Sequence, residues 1–366
     1  MARPKRYSLA IELTGFCNQK CGYCYNGWRE DGGKAVGSLP GEALLSLVDR
    51  ALTDVEFDHV TLTGGEPFAR PEVFDVLEVV GRHGLRANII SNGGLITDAI
   101  AERLAPHRPH FVQISLNGPD RALHREHVGS SRSGEDPWDA TLRGIGSLKK
   151  HGVAVAGCVV VTRKNARVLG EILDLFLELG VTNMALSRFS PAGFATAQAA
   201  ELLPSRSDML EALDQAEVRG RDHGMDLSVT MPIPPCVVEH ALYPHLRFGG
   251  CPIGTENQEL VLGPTGELRN CTLHEEVIGD ARTTSLAELI EAPAVARYRD
   301  VTPEFCAPCP HRRGCLGGCG AAADWTLGER GLDPFVAQHV DEAFGERLRR
   351  SRADGGAFVP AARLVR

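Results

Sequence analysis

Six short runs rich in β-branched residues, at 9–13, 59–63, 86–91, 111–115, 153–161 and 183–187, each end in a polar or glycine-rich turn. Segments of helical period separate them. Residues 41–52 carry that period on Ala43, Leu44, Leu47, Val48 and Leu52. Pro71 stands where a helix start loses nothing by a missing N–H, and Gly180 follows the helical segment 170–179 where positive φ is wanted. Successive βα units specify a parallel sheet, with the chemistry in the loops at the strand C-termini. Six units are too few for a closed eight-stranded barrel, so the expected fold is α/β, a partial (β/α)6 barrel that stays open.

The pattern changes near residue 225. Met231-Pro232-Ile233-Pro234-Pro235 is stiff and extended. Residues 259–262, a Gly-Pro-Thr-Gly turn at 263–266 and residues 267–270 read as a β-hairpin. Short helices then lead into a cysteine cluster. The chain accordingly divides into a core domain at 1–225, a cysteine-rich α+β extension at 226–340, and a helix end and tail at 341–366.

The chain has 366 residues and 11 cysteines. That is about 3%, against roughly 8–10% for a disulfide scaffold, and the number is odd. The basic stretch before Leu9 is short and the apolar run after it breaks at Glu12, so neither a signal peptide nor a membrane span is expected. A cytoplasmic setting follows, where thiols stay free for metals. A net charge of −8 argues against a nucleic-acid surface. The first strand starts near residue 7, so a separate fused N-terminal peptide-recognition domain is not expected.

Cys17, Cys21 and Cys24 have the spacing CxxxCxxC in the loop after the first run. Three thiolates this close can face three irons of a [4Fe–4S] cube and leave the fourth iron open. A structural zinc site would want a fourth ligand nearby, and no His or Cys follows before His59. With Tyr23 before the third cysteine, the motif resembles that of the radical S-adenosylmethionine (SAM) superfamily. The resemblance extends over residues 7–225. It implies that Gly64, Gly65, Glu66 and Pro67 form the GGEP motif that holds the methionine amino group, and that Ser91, Asn92, Ser115 and Asn117 contact the methionine carboxylate and ribose. Thr162, Arg163, Asn165, Ser187 and Arg188 would be the remaining SAM-lining positions. The implied activity is reductive cleavage of SAM to a 5′-deoxyadenosyl radical that takes hydrogen from an unactivated C–H bond, fed by an electron donor of flavodoxin or ferredoxin type.

The later cysteines run Cys251, Gly266-xxxx-Cys271, then Cys306-xx-Cys309-xxxxx-Cys315-xxx-Cys319. This resembles the SPASM extension of radical SAM enzymes, which binds two auxiliary [4Fe–4S] clusters. By that resemblance Cys251, Cys271 and Cys319 ligate the first, with Cys236 as the natural fourth ligand, and Cys306, Cys309 and Cys315 ligate the second. The final cysteine of the pattern is absent: Leu332-Asp333-Pro334-Phe335-Val336 carries Val336 in its place. Three readings stand for the second cluster: an open iron, recruitment of Asp333 or His339, or redistribution of Cys236. A zinc site at Cys306, Cys309, Cys315 and Cys319 is the bland alternative, and it strands Cys251 and Cys271.

Alternation puts Cys158 on the face of Val160 and Thr162, as a small buried hydrophobe or as a hydrogen-atom donor to a substrate radical. Tyr25, Trp28 and Arg29 read as entrance residues or ordinary loop, and His124, Arg125 and His127 as solvated. The expected substrate is a ribosomally made precursor peptide, cross-linked, oxidised or epimerised, with a separate leader-peptide-binding protein as partner. The alternatives are a dehydrogenase or epimerase of a small sugar- or aminocyclitol-type metabolite, and a non-catalytic iron–sulfur scaffold.

Overall fold

The computed structural model describes residues 6–26, 37–132, 134–255, 257–298, 303–328, 331–355 and 358. The six runs form β1 (Arg6–Glu12), β2 (Phe57–Thr63), β3 (Ala87–Ser91), β4 (Phe111–Ser115), β5 (Val155–Val161) and β6 (Asn183–Arg188), each paired in parallel with the next. Between them run helices α1 (Gly41–Asp54), α2 (Val73–Arg82), α3 (Asp98–Leu104), α4 (Arg121–Val128), α5 (Pro137–Lys150) and α6 (Leu169–Glu178). Pro71 sits in the turn two residues ahead of α2 rather than inside its first turn. Gly180 takes φ +66° just past α6, the backbone that ends a helix most cheaply when no Cβ is present.

Alternation along the strands sorts side chains between two environments. Val60 and Leu62, Val112 and Ile114, and Val159 and Val161 are fully buried in one apolar core with helix residues such as Leu47, Val76, Leu148 and Phe176. The opposite parity faces the barrel interior, where the site lies.

The sheet does not stop at six strands. β7 (Asp226–Val229) and β8 (Leu246–Phe248) continue it in parallel beyond β6. On the other edge β9 (Asn257–Leu262) pairs in parallel with β1, and β10 (Glu267–Arg269) and β11 (Val277–Asp280) follow antiparallel. The expected hairpin is β9–β10, closed by Gly263 N–H to Glu267 O at 2.8 Å. The order is β11-β10-β9-β1-β2-β3-β4-β5-β6-β7-β8, so the ends do not meet and the barrel is open. Among the described residues no helix is long and apolar enough to cross a membrane.

Candidate functional site

The strand C-termini open into a cavity of about 560 Å³, within the size range of ligand pockets. Inward-facing pairs such as Thr61 and Thr63, Gln113 and Ser115, and Cys158 and Val160 line it. Cys17, Cys21, Tyr23 and Cys24 form its wall at the β1 loop. Burial first, then the neighbouring Cys21, Glu66 and Cys24, push the Cys17 thiol far above its ordinary range. Its sulfur accepts from Gln19 N–H at 3.5 Å and from Asn92 Nδ2 at 3.7 Å.

Glycine is required where the β2 loop crosses the β1 loop. Gly64 has φ +119°, and a Cβ on Gly65 would lie 2.0 Å from the Phe16 carbonyl oxygen. The close approach lets Gly65 N–H donate to Thr14 O at 2.6 Å and Glu66 N–H to Phe16 O at 2.8 Å. The Glu66 carboxylate is fully committed: Oε1 accepts from Ser91 Oγ at 2.8 Å and Phe68 N–H at 3.2 Å, and Oε2 from Asn92 N–H at 2.9 Å. Burial still raises it to about 7. Glu66 therefore ties the β2 loop to the β3 loop, while Gly64, Gly65, Ser91 and Asn92 face the cavity.

Of the other positions read as SAM contacts, Ser115, Ser187 and Arg188 line the cavity. Pro67 is buried at the start of a short 3-10 turn. Asn117, Thr162 and Asn165 are wholly buried and bonded among themselves behind the wall. Asn117 Oδ1 accepts from Val160 N–H at 2.8 Å, its Nδ2 donates to Tyr23 Oη at 2.8 Å, and Asn165 Oδ1 accepts from Thr162 N–H at 2.8 Å. Arg163 is exposed. His124 and His127 are buried rather than solvated: α4 turns them inward, with Nδ1 of His124 accepting from Asn117 N–H at 3.3 Å and His127 Nε2 meeting Thr162 Oγ1 at 2.8 Å. Arg125 alone of that trio is exposed. Tyr25 lines the cavity; Trp28 and Arg29 lie outside the described residues.

The far side of the same cavity is walled by Cys251, Cys271 and Cys319. Cys271 Sγ accepts from Leu273 N–H at 3.3 Å, and Cys319 Sγ from Ala322 N–H at 3.4 Å. Burial, the largest cause, pushes Cys271 up to about 12. A separate cavity of about 130 Å³ is lined by Cys236, Cys306, Cys309 and Cys315, with Val336 and His311. Cys236 thus stands with the second set, whereas the family pattern suggested it for the first. Asp333 is buried, with Oδ2 accepting from Arg188 Nη2 at 2.5 Å and Cys319 N–H at 2.8 Å, and Oδ1 from Phe335 N–H at 2.8 Å. His339 is exposed and its Nε2 accepts from Arg206 N–H at 3.2 Å.

Several cavity residues escaped sequence reasoning. Asn270 is wholly buried, and neither its Oδ1 nor its Nδ2 has a hydrogen-bond partner. Ser190 Oγ is likewise unpartnered on the cavity wall. Glu259 reaches the cavity because β9 docks on β1, and burial raises its carboxyl. Position just before Cys271 was the one available signal for Asn270.

The 11 cysteines, all among the described residues, form no disulfide, so the donor set is thiol throughout. Amide N–H groups aimed at Cys17, Cys271 and Cys319 sulfurs suit thiolates bound to iron–sulfur clusters. Among the described residues no group of three or more His, Cys, Asp or Glu is set to hold a single metal ion; each thiol set would close around its cluster. The uncommitted polar atoms of Asn270 and Ser190 beside the inward threonines and serines fit a polar cofactor or substrate.

Residues 11–176 match the family model of the Radical SAM superfamily. The mycofactocin maturase MftC of Mycobacterium tuberculosis is 27% identical over 94% of this chain and 87% of its own length. The PqqA peptide cyclase of Granulibacter bethesdensis is 26% identical over 90% and 86%, and the AdoMet-dependent heme synthase of Nitratidesulfovibrio vulgaris 25% over 86% and 87%. Among solved structures, native anSMEcpe with bound AdoMet superposes with a TM-score of 0.71 at 22% identity, covering 95% of this chain and 99% of that one. Streptococcus suis SuiB bound to precursor peptide SuiA gives 0.71 at 16%, covering 90% and 75%. These likenesses establish the shared fold.

Proposed function

We propose that the chain, whose residues 11–176 match the Radical SAM superfamily model, works as a radical SAM enzyme that modifies a ribosomally made precursor peptide at an unactivated carbon, by cross-linking, oxidation or epimerisation. The carrying observation is that Cys17, Cys21 and Cys24 share one cavity with Cys251, Cys271 and Cys319. A substrate there lies within reach of both thiol sets. Two relatives are named for work of this kind, a maturase and a peptide cyclase.

Cys17, Cys21 and Cys24 would hold a [4Fe–4S] cluster, and the cysteines of the 226–340 region would hold auxiliary ones beside the 1–225 core. Cluster and SAM, when bound, supply a 5′-deoxyadenosyl radical that removes hydrogen from a C–H bond. Gly64 and Gly65 bring backbone to the cavity edge without side-chain bulk, and Ser91, Asn92, Ser115, Ser187 and Arg188 offer polar groups around it. Glu66 and Asn117 brace the loops that carry these groups. Tyr23 lines the wall with Cys21 and Cys24, and its hydroxyl accepts from Asn117 Nδ2. The predominantly apolar walls exclude water from a reactive intermediate. An external one-electron donor and a leader-peptide-binding protein are the implied partners. A second reading, a small-molecule substrate, draws on the relative named as a heme synthase.

With SAM and dithionite under anaerobic conditions the protein should form 5′-deoxyadenosine, and Cys17→Ala, Cys21→Ala and Cys24→Ala should each abolish it. Co-expression with a precursor peptide should change the peptide's mass. Absence of 5′-deoxyadenosine from the reconstituted wild type refutes the reading. Cys158 lines the same cavity, and unchanged product from Cys158→Ala removes it as hydrogen-atom donor.

A further inference from the structure

We infer that Cys236 completes a four-thiolate cluster site with Cys306, Cys309 and Cys315, leaving Cys251, Cys271 and Cys319 as a three-thiolate site whose open iron position faces the main cavity and takes a lone-pair donor of the substrate. This rests on the reading above, that the later cysteines hold iron–sulfur clusters.

Two backbone devices sort the thiols. Pro234 and Pro235, on the wall of the smaller cavity, deliver Cys236 into it. Between Cys315 and Cys319, only four residues apart, Leu316, Gly317 and Gly318 take φ +54°, +82° and +100° in succession. This left-handed run turns the chain, so Cys315 stays with Cys306 and Cys309 while Cys319 enters the main cavity as N-cap of the helix Gly320–Leu327. The alternative ligands for the smaller site are spent or misplaced. Both Asp333 oxygens accept hydrogen bonds from Arg188, Cys319 and Phe335. His339 is not on the wall, and its Nε2 accepts from Arg206 N–H at 3.2 Å. Val336 is on the wall but has no donor atom. His311 shares the wall as well, yet four thiolates already saturate a cubane.

The main cavity has no fourth thiol for the other set. Cys158 lines the cavity from β5, and Cys17, Cys21 and Cys24 make their own trio at the β1 loop. Beside Cys271, Asn270 is buried in the cavity wall with both side-chain polar atoms unpartnered. A buried amide costs free energy until something hydrogen-bonds it. A polar substrate group seated at the open position would satisfy it. The four-thiolate site can then only pass electrons, while the three-thiolate site can also bind.

The test uses the full chain with Cys17, Cys21 and Cys24 all changed to Ala, so that the SAM cluster does not answer the probe. Reconstituted anaerobically, it should hold about 8 irons, two clusters of four. Potassium cyanide should shift the electron paramagnetic resonance signal of one reduced cluster only. Adding Cys251→Ala, Cys271→Ala and Cys319→Ala should remove that responsive signal and about 4 irons. Adding Cys306→Ala, Cys309→Ala and Cys315→Ala should leave it. In this last background Cys236→Ala should change nothing, whereas in the parent it should alter the silent signal; His311→Ala should alter neither. The inference falls if Cys236→Ala shifts the cluster held by Cys251, Cys271 and Cys319, if cyanide moves neither signal, or if zinc replaces iron in the four-cysteine site. Cys236→Ser, which keeps an oxygen donor, guards against a folding defect: a shifted rather than lost signal supports ligation, and an unchanged one overturns it. Failure of 5′-deoxyadenosine formation is read separately, on protein with Cys17, Cys21 and Cys24 intact.

Discussion

Asp333→Ala should weaken the fold without removing iron. The side chains of Arg188 and Asp333 are both at zero exposure and meet at 2.5 Å. Without the carboxylate, the guanidinium keeps the carbonyls of Pro232 and Phe189 but loses its counter-charge, and the amides of Cys319 and Phe335 lose their acceptor. Breaking a buried pair from one side costs about 3–5 kcal/mol, and two orphaned amides place this site at the upper end. Unfolding entropy of roughly 2.1 cal/mol/K per residue gives about 0.8 kcal/mol/K for a chain of this length, so the Tm should drop by about 6 °C. The assay is circular dichroism melting of the anaerobic holoprotein, with iron measured on the same samples. Arg188→Met in the Asp333→Ala background should recover part of the loss, because the stranded charge goes with it. A melt within about 1 °C of wild type, or strictly additive losses in the double variant, would refute the pair's role. Loss of about 4 irons would instead make Asp333 a cluster ligand.

Gly65→Ala, which forces a Cβ to 2.0 Å from the Phe16 carbonyl, should separate the β1 and β2 loops and cut 5′-deoxyadenosine formation by about 100-fold or more, a barrier increase near 3 kcal/mol; Gly146→Ala, on α5 with nothing within 4 Å of its Cβ, should leave it unchanged. His124 is held down to about 4 by burial against an ordinary value near 6.5. As pH falls from 6.5 to 4 the unfolded chain therefore takes up a proton the folded chain refuses, and stability drops by up to about 3 kcal/mol. The difference between melts at pH 7 and pH 5 should shrink in His124→Gln, which offers an oxygen to Asn117 N–H; an unchanged difference would show that His124 does not carry it.

What was legible in the sequence was local. Period-two alternation in β5 is enough to put Cys158 and Val160 on the interior face and Val159 and Val161 in the core, because a strand cannot turn neighbours to the same side. β7 and β8 carry no such signal: with four and three residues they are too short to show a period, and they exist because β6 offers a parallel edge. The docking of β9 on β1 is a pairing across some 250 positions, and it brings Glu259 and Asn270 to the same cavity as the C-terminal loops of the first six strands. The same limit governs the thiols. Spacing placed Cys306, Cys309, Cys315 and Cys319 in one run, but three consecutive positive φ angles separate the last from the rest, and only Leu316 among those three residues lacks the freedom of glycine. Cys236, seventy residues upstream of Cys306, reaches the same small cavity through two prolines. A ligand set is a property of where the backbone turns. In this chain those turns leave Cys251, Cys271 and Cys319 on the wall of the main cavity with Asn270, and Cys236, Cys306, Cys309 and Cys315 on the wall of a separate cavity of about 130 Å³.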